Sequence, residues 1–152
     1  TYAGQNLGAK NYKRLKNGGL RIPLFSGIVT AIAGITMTCF CRPVLALFTN
    51  DEAVLTLAVQ YVRVVLPFTW CYAIFNGIIS FVNGLGEVKF PTIVNILMFW
   101  AVRIPCGFII ANYFDGTYIM ASFPISFVFG MLAMLSYYLF SKRWKEIKRL
   151  AQ

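Results

Sequence analysis

Four long runs of apolar residues dominate the chain, separated by short polar or charged breaks. The first runs from Ile22 to Cys41 between Arg21 and Arg42. Twenty uncharged residues at about 1.5 Å per residue reach about 30 Å, the thickness of a bilayer's hydrocarbon core. The second runs over residues 61–86, the third over 90–114 with Arg103 as its one charge, and the fourth over 117–141 without any. In lipid each must satisfy its own backbone hydrogen bonds, so each is predicted to be a transmembrane helix.

The breaks read as turns. Thr49-Asn50-Asp51-Glu52 has the spacing of a capping box that starts the second helix. Gly84-Leu85-Gly86-Glu87-Val88-Lys89, closed by Pro91, is a tight turn, and Asp115-Gly116 is another. Turns this short predict antiparallel neighbours. Pro43 to Phe48 is a short apolar stretch suited to the membrane interface. The reading is an all-α polytopic membrane protein: a basic segment over 1–21, four antiparallel transmembrane helices over 22–141, and a basic tail over 142–152.

Composition supports a lipid solvent, with 59% hydrophobic and only 12% charged residues; a soluble domain carries about 25% charged residues. The net charge of +9 does not point to nucleic acid, because the basic residues flank apolar spans. Lys10, Lys13, Arg14, Lys16 and Arg21 form one cluster, and Lys142, Arg143, Lys145, Lys148 and Arg149 form a second. Anionic headgroups account for both. The excess of Lys and Arg at the two ends places both termini in the cytoplasm. Tyr137, Tyr138 and Trp144 are expected at the same interface, as an aromatic belt. Cys39, Cys41, Cys71 and Cys106 all lie in apolar runs without metal-ligand spacing.

Polar residues inside the spans are the candidate functional positions. Gly27, Ala31, Gly34 and Thr38 form a small-residue stripe on the first span, which suits close helix packing. Thr69, Asn76, Ser80 and Asn83 share a stripe of the second, and Asn95 lies in the third. Asn facing lipid is costly, so these must meet another helix or a wet cavity. Pro67 is placed to bend the second span. Ser122, Ser126 and Gly130 read as a packing stripe of the fourth. Arg103 carries a mid-span cost of about +2.5 to +3.5 kcal/mol and needs a partner. Two solutions are open: it caps carbonyls near Pro105 and snorkels, or its partner lies outside this chain. Arg63 is expected to snorkel to headgroups. No Asp, Glu or His lies inside any span, and no nucleophile–base pair, metal cluster or phosphate loop is visible, so an enzyme is not expected.

The same residues resemble a family. Gly4-Gln5-Asn6-Leu7-Gly8-Ala9 before a basic stretch is similar to the cytoplasmic segment joining two helices within each lobe of multidrug and toxic compound extrusion (MATE) transporters. Arg42-Pro43 to Phe48-Thr49, Tyr61-Val62-Arg63 with Pro67, Gly84-Leu85-Gly86-Glu87 with Pro91, and Trp100-Ala101-Val102-Arg103-Ile104-Pro105 follow in the family's order. The resemblance implies helices nine to twelve of a twelve-helix, two-lobed transporter, hence part of a six-helix lobe. It implies cation-coupled antiport of organic, drug-like and often cationic compounds by alternating access in a bacterial inner membrane. A chain beginning at Thr1 is then expected to be a C-terminal fragment, inactive alone, whose partners are lipids, the remaining helices and a small organic substrate. Thr69, Asn76, Ser80, Asn83 and Asn95 would line the cavity. Some branches place an acid in the tenth helix, whereas this span has Asn76 there. The coupling ion, sodium or proton, is therefore expected to bind outside this chain, and no cofactor is expected. Two other readings remain: a lipid-linked sugar flippase of the same superfamily, with Arg103 on a phosphate, and a self-standing four-helix protein that oligomerises.

Overall fold

A computed structural model describes residues 1–114 and 116–151. The described residues are helical almost throughout, with no strand among them. The order is α1 (Tyr2–Gly8), α2 (Tyr12–Cys39), α3 (Cys41–Leu45), α4 (Glu52–Val65), α5 (Thr69–Gly84), α6 (Lys89–Ile96), α7 (Ile104–Tyr113), α8 (Ser122–Phe140) and α9 (Lys142–Leu150). A 3₁₀ turn, Leu66–Phe68, joins α4 to α5. A π-helical stretch, Leu97–Arg103, joins α6 to α7. Among the described residues, four continuous segments are long and apolar enough to cross a membrane: Tyr12–Cys39, Glu52–Gly84, Lys89–Tyr113 and Tyr118–Phe140.

The four expected spans are present, but two start earlier than their apolar runs. The helix of the first span begins at Tyr12, ten residues before Ile22. Asn11 caps it, its side chain accepting from Arg14 N at 3.1 Å. Lys and Arg are good helix formers, so the basic segment continues the helix instead of preceding it. The second begins at Glu52 rather than residue 61. Its N-cap is Asp51, not Thr49: Asp51 Oδ1 accepts from Ala53 N at 2.9 Å and Val54 N at 3.4 Å. Thr49 acts one step earlier, its Oγ1 accepting from Asp51 N at 3.2 Å. Arg42 on α3 reaches Glu52 at 3.2 Å, an exposed pair that closes the turn between α3 and α4. Pro67 does break the second span, at the 3₁₀ turn. The expected turn at Asp115-Gly116 lies partly outside the described residues.

Packing follows the neighbour order that the turns predict for the third and fourth spans and departs from it between the second and third. The first and second spans pack closely, α2 against α5. The second and third meet mainly near their connecting turn, and α8 packs between them. Gly130 of α8 marks the convergence. A Cβ there would lie 2.5 Å from Met98 Sδ and 3.1 Å from a Phe75 ring carbon. Phe75, Met98 and Met134 are all buried in the main core. Helix α7, by contrast, buries none of its residues.

The small-residue stripe of α2 is a contact face. Gly27 meets Ile74, and Gly34 lies so close to the Leu66 carbonyl that a Cβ would be 2.8 Å from its oxygen. The tail is not a free basic segment. It forms α9, and Trp144 is 0% exposed in the main core. Trp144 packs edge-on against Phe81 (5.7 Å between centroids) and Tyr138 (4.8 Å).

Candidate functional site

Two polar sites lie within the helical body. The first is a cavity of about 360 Å³ between α1, α2 and α5. Its wall includes Ser26 from α2 and Asn76, Gly77 and Ser80 from α5, with Tyr2 from α1 and Thr1 before it. Asn76 and Ser80 are four residues apart on α5, so they stack on one face. Ser26 precedes Gly27, the residue that lets α2 approach α5. The Asn76 amide is braced by its own helix, Nδ2 donating to the Tyr72 carbonyl at 2.9 Å. What the wall offers a guest is neutral hydrogen-bonding groups beside apolar and aromatic surface. Such a lining suits an amphipathic organic molecule, apolar over most of its area with a few fixed polar groups.

Of the five residues expected on a substrate path, only Asn76 and Ser80 are brought together here. Thr69 turns to the α2 contact instead. Its Oγ1 donates to the Leu66 carbonyl at 2.7 Å and would lie 3.1 Å from a Cβ on Gly34. Asn83 is exposed at the end of α5, and Asn95 is exposed on α6; neither lines this cavity. Ser26 was not singled out by the sequence, although it adjoins the glycine stripe and its hydroxyl stands beside that stripe.

The second site surrounds Arg103. Capping of carbonyls near Pro105 is not the arrangement found. The guanidinium is held within the chain, by the fourth span. Arg103 Nε donates to Ser126 Oγ at 3.0 Å, and Ser126 Oγ donates to the Phe123 carbonyl at 2.8 Å. Three rings enclose the charge: Phe99 with its centroid 4.3 Å from Cζ, Phe123 at 4.5 Å and Phe127 at 5.3 Å. Cation–π contacts contribute about 0.5–2 kcal/mol each, most where water is excluded. Ser126, expected to be mere packing, is 0% exposed and is the hydrogen-bond partner. Arg103 Nη2 is buried without a partner among the described residues. The π-helical stretch ends at Arg103 and Pro105 follows, so the helix is irregular where it turns this side chain toward α8. Signals for the cage did exist in sequence: Phe99 is four residues before Arg103, and Phe123 and Phe127 are four apart.

A third connection ties the turn at residues 85–88 to α8 and α2. Tyr137 donates to Glu87 Oε2 at 2.5 Å, and Tyr138 donates to the Gly19 carbonyl at 2.6 Å.

Comparison with known proteins adds to this geometry. A model of the MatE family matches residues 1–109. The chain is 27% identical over 157 residues to the probable multidrug resistance protein YoeA of Bacillus subtilis, covering 99% of this chain and 33% of that protein. It is 25% identical to the probable multidrug resistance protein YpnP of Bacillus subtilis, over 96% of this chain and 33% of that protein. It is 30% identical to the probable multidrug resistance protein NorM of Halalkalibacterium halodurans, over 69% of this chain and 22% of that protein. The chain thus spans a third or less of these relatives' length.

Proposed function

The chain belongs to the MatE family, the multidrug and toxic compound extrusion transporters, and from that premise we propose that its four spans form part of one lobe of a drug-efflux antiporter. The proposed activity is translocation of small organic compounds, often cationic, exchanged for sodium or protons by alternating access. It is movement, not chemical conversion. The proposed setting is a bacterial inner membrane with both chain ends in the cytoplasm. Transport is proposed to need further helices, because four spans cannot enclose a two-lobed cleft, and the coupling ion is proposed to bind on those helices.

The observation that supports this reading best is the cavity bounded by Asn76, Ser80 and Ser26. It sets neutral polar groups within an apolar wall, a lining that can hold varied drug-like molecules without selecting one. The test is dye efflux from a drug-sensitive bacterial host expressing the intact protein. Asn76→Leu should lower efflux several-fold at normal expression, while Asn95→Leu, outside this cavity, should leave it near wild type. Unchanged efflux in the Asn76 variant would remove the cavity from the transport path.

A further inference from the structure

The two basic clusters are more than a hundred residues apart in sequence. The fold places them side by side. Leu15 of α2 and Trp144 and Ile147 of α9 belong to one buried cluster, and the Trp144 ring lies against Gly19 of α2. With the inward faces of the two helices committed to that contact, Lys13 and Arg14 of α2 and Lys145, Lys148 and Arg149 of α9 are exposed. Ten of the fourteen Lys and Arg residues lie in these two segments. Two acids are nearby: Glu87, whose carboxylate is held by the Tyr137 hydroxyl, and Glu146 on α9 itself. The surface is therefore strongly positive. It also begins where the fourth span ends, since only Ser141 separates Lys142 from Phe140, the last residue of α8.

We propose that α2 and α9, locked together through Trp144, form a single docking surface for the phosphate headgroups of anionic phospholipids. The occupant is identified by charge and by place. A surface of lysines and arginines with aliphatic stems, adjoining the hydrocarbon boundary, matches a layer of anionic phosphates, and each Lys or Arg near such a surface adds about fivefold in affinity. Lys148 is held over the Trp144 ring, its Nζ 5.6 Å from the centroid, which fixes one ammonium on the outer rim of the contact. The proposal does not depend on transport. It requires only that α9 is docked and that the bilayer edge lies at its start.

The test is native mass spectrometry of the full chain released from neutral detergent containing equal phosphatidylglycerol and phosphatidylcholine. The wild type should retain phosphatidylglycerol at least about fivefold in preference. Replacing Lys13, Arg14 and Lys16 by Gln, or Lys145, Lys148 and Arg149 by Gln, should each abolish most of that preference. The combined variant should lose little more, because either set alone breaks one shared surface. Trp144→Ala keeps every charge and should also reduce the preference. Equal retention of the two lipids by the wild type would overturn the proposal. So would two triple variants that each lose half and add up, since that pattern belongs to two independent patches. The Gln variants lie on the surface, so their outcome stands even if Trp144→Ala fails to fold.

Discussion

Removing the Ser126 hydroxyl should damage the protein only while Arg103 is there to miss it. Ser126→Ala deletes the acceptor of the 3.0 Å bond from Arg103 Nε. The guanidinium already has Nη2 without a partner among the described residues, so a second orphaned donor is created beside the first. Losing a hydrogen bond to a charged group costs about 1.5–3 kcal/mol. The bond from Ser126 to the Phe123 carbonyl is lost as well, but it is local to one turn of the fourth span and is lost in either background. Arg103→Leu removes the same bond, about 1.5–3 kcal/mol, and three cation–π contacts of about 0.5–2 kcal/mol each. It also removes the mid-membrane cost of the charge, about 2.5–3.5 kcal/mol, which offsets part of that loss. In the Arg103→Leu background, Ser126→Ala should cost only that local bond, about 1 kcal/mol. A double-mutant cycle, read by reversible unfolding in mixed micelles with increasing sodium dodecyl sulfate, should therefore give a coupling of about 1.5–3 kcal/mol. If Ser126→Ala costs the same in both backgrounds, the bond does not hold Arg103 and the cage is not what keeps the charge in place.

Two glycines should respond in opposite directions to the same change. Gly34→Ala forces a methyl to 2.8 Å from the Leu66 oxygen; the helix-propensity gain of about 1 kcal/mol should be outweighed by overpacking of about 1–3 kcal/mol, and the unfolding midpoint should fall. Gly107→Ala in α7 meets nothing within 4 Å and should raise it, by up to about 1 kcal/mol in stability.

The spans were legible because lipid solvation leaves a simple record: long runs without charge, ended by Lys, Arg, Gly or Pro. The Gly27–Gly34 face was legible because small residues at helical spacing have one common use in a membrane. Where the record failed, two physical quantities had been merged. Hydropathy marks where the membrane is, not where a helix begins, so α2 starts at Tyr12 among lysines and α4 at Glu52. Turn length fixes which segments are joined, not which pack together, so it could not reveal that Gly130 lets α8 sit between Phe75 and Met98. The burial of Trp144 was not legible either, because it comes from α9 docking on α2, a contact across most of the chain. At the candidate site, Asn76 and Ser80 followed from their four-residue spacing. Ser26 did not, because it comes from another helix, and neither did Ser126, whose role depends on an arginine 23 residues away.

Whether the Asn76 cavity lies on a substrate path can be measured by cysteine labelling. Asn76→Cys would be built in the intact protein with Cys39, Cys41, Cys71 and Cys106 replaced by Ala, and treated in cells with a small permeant maleimide. Leu132→Cys, on an exposed side of α8 outside the cavity wall, where the native residue is 57% exposed, is the control. A thiol introduced at position 76 should be labelled, and an exported cationic dye should slow that labelling. The thiol at position 132 should react poorly and be unaffected by dye. Labelling at position 76 that stays unchanged while the cells export the dye would contradict the assignment of this cavity to the path.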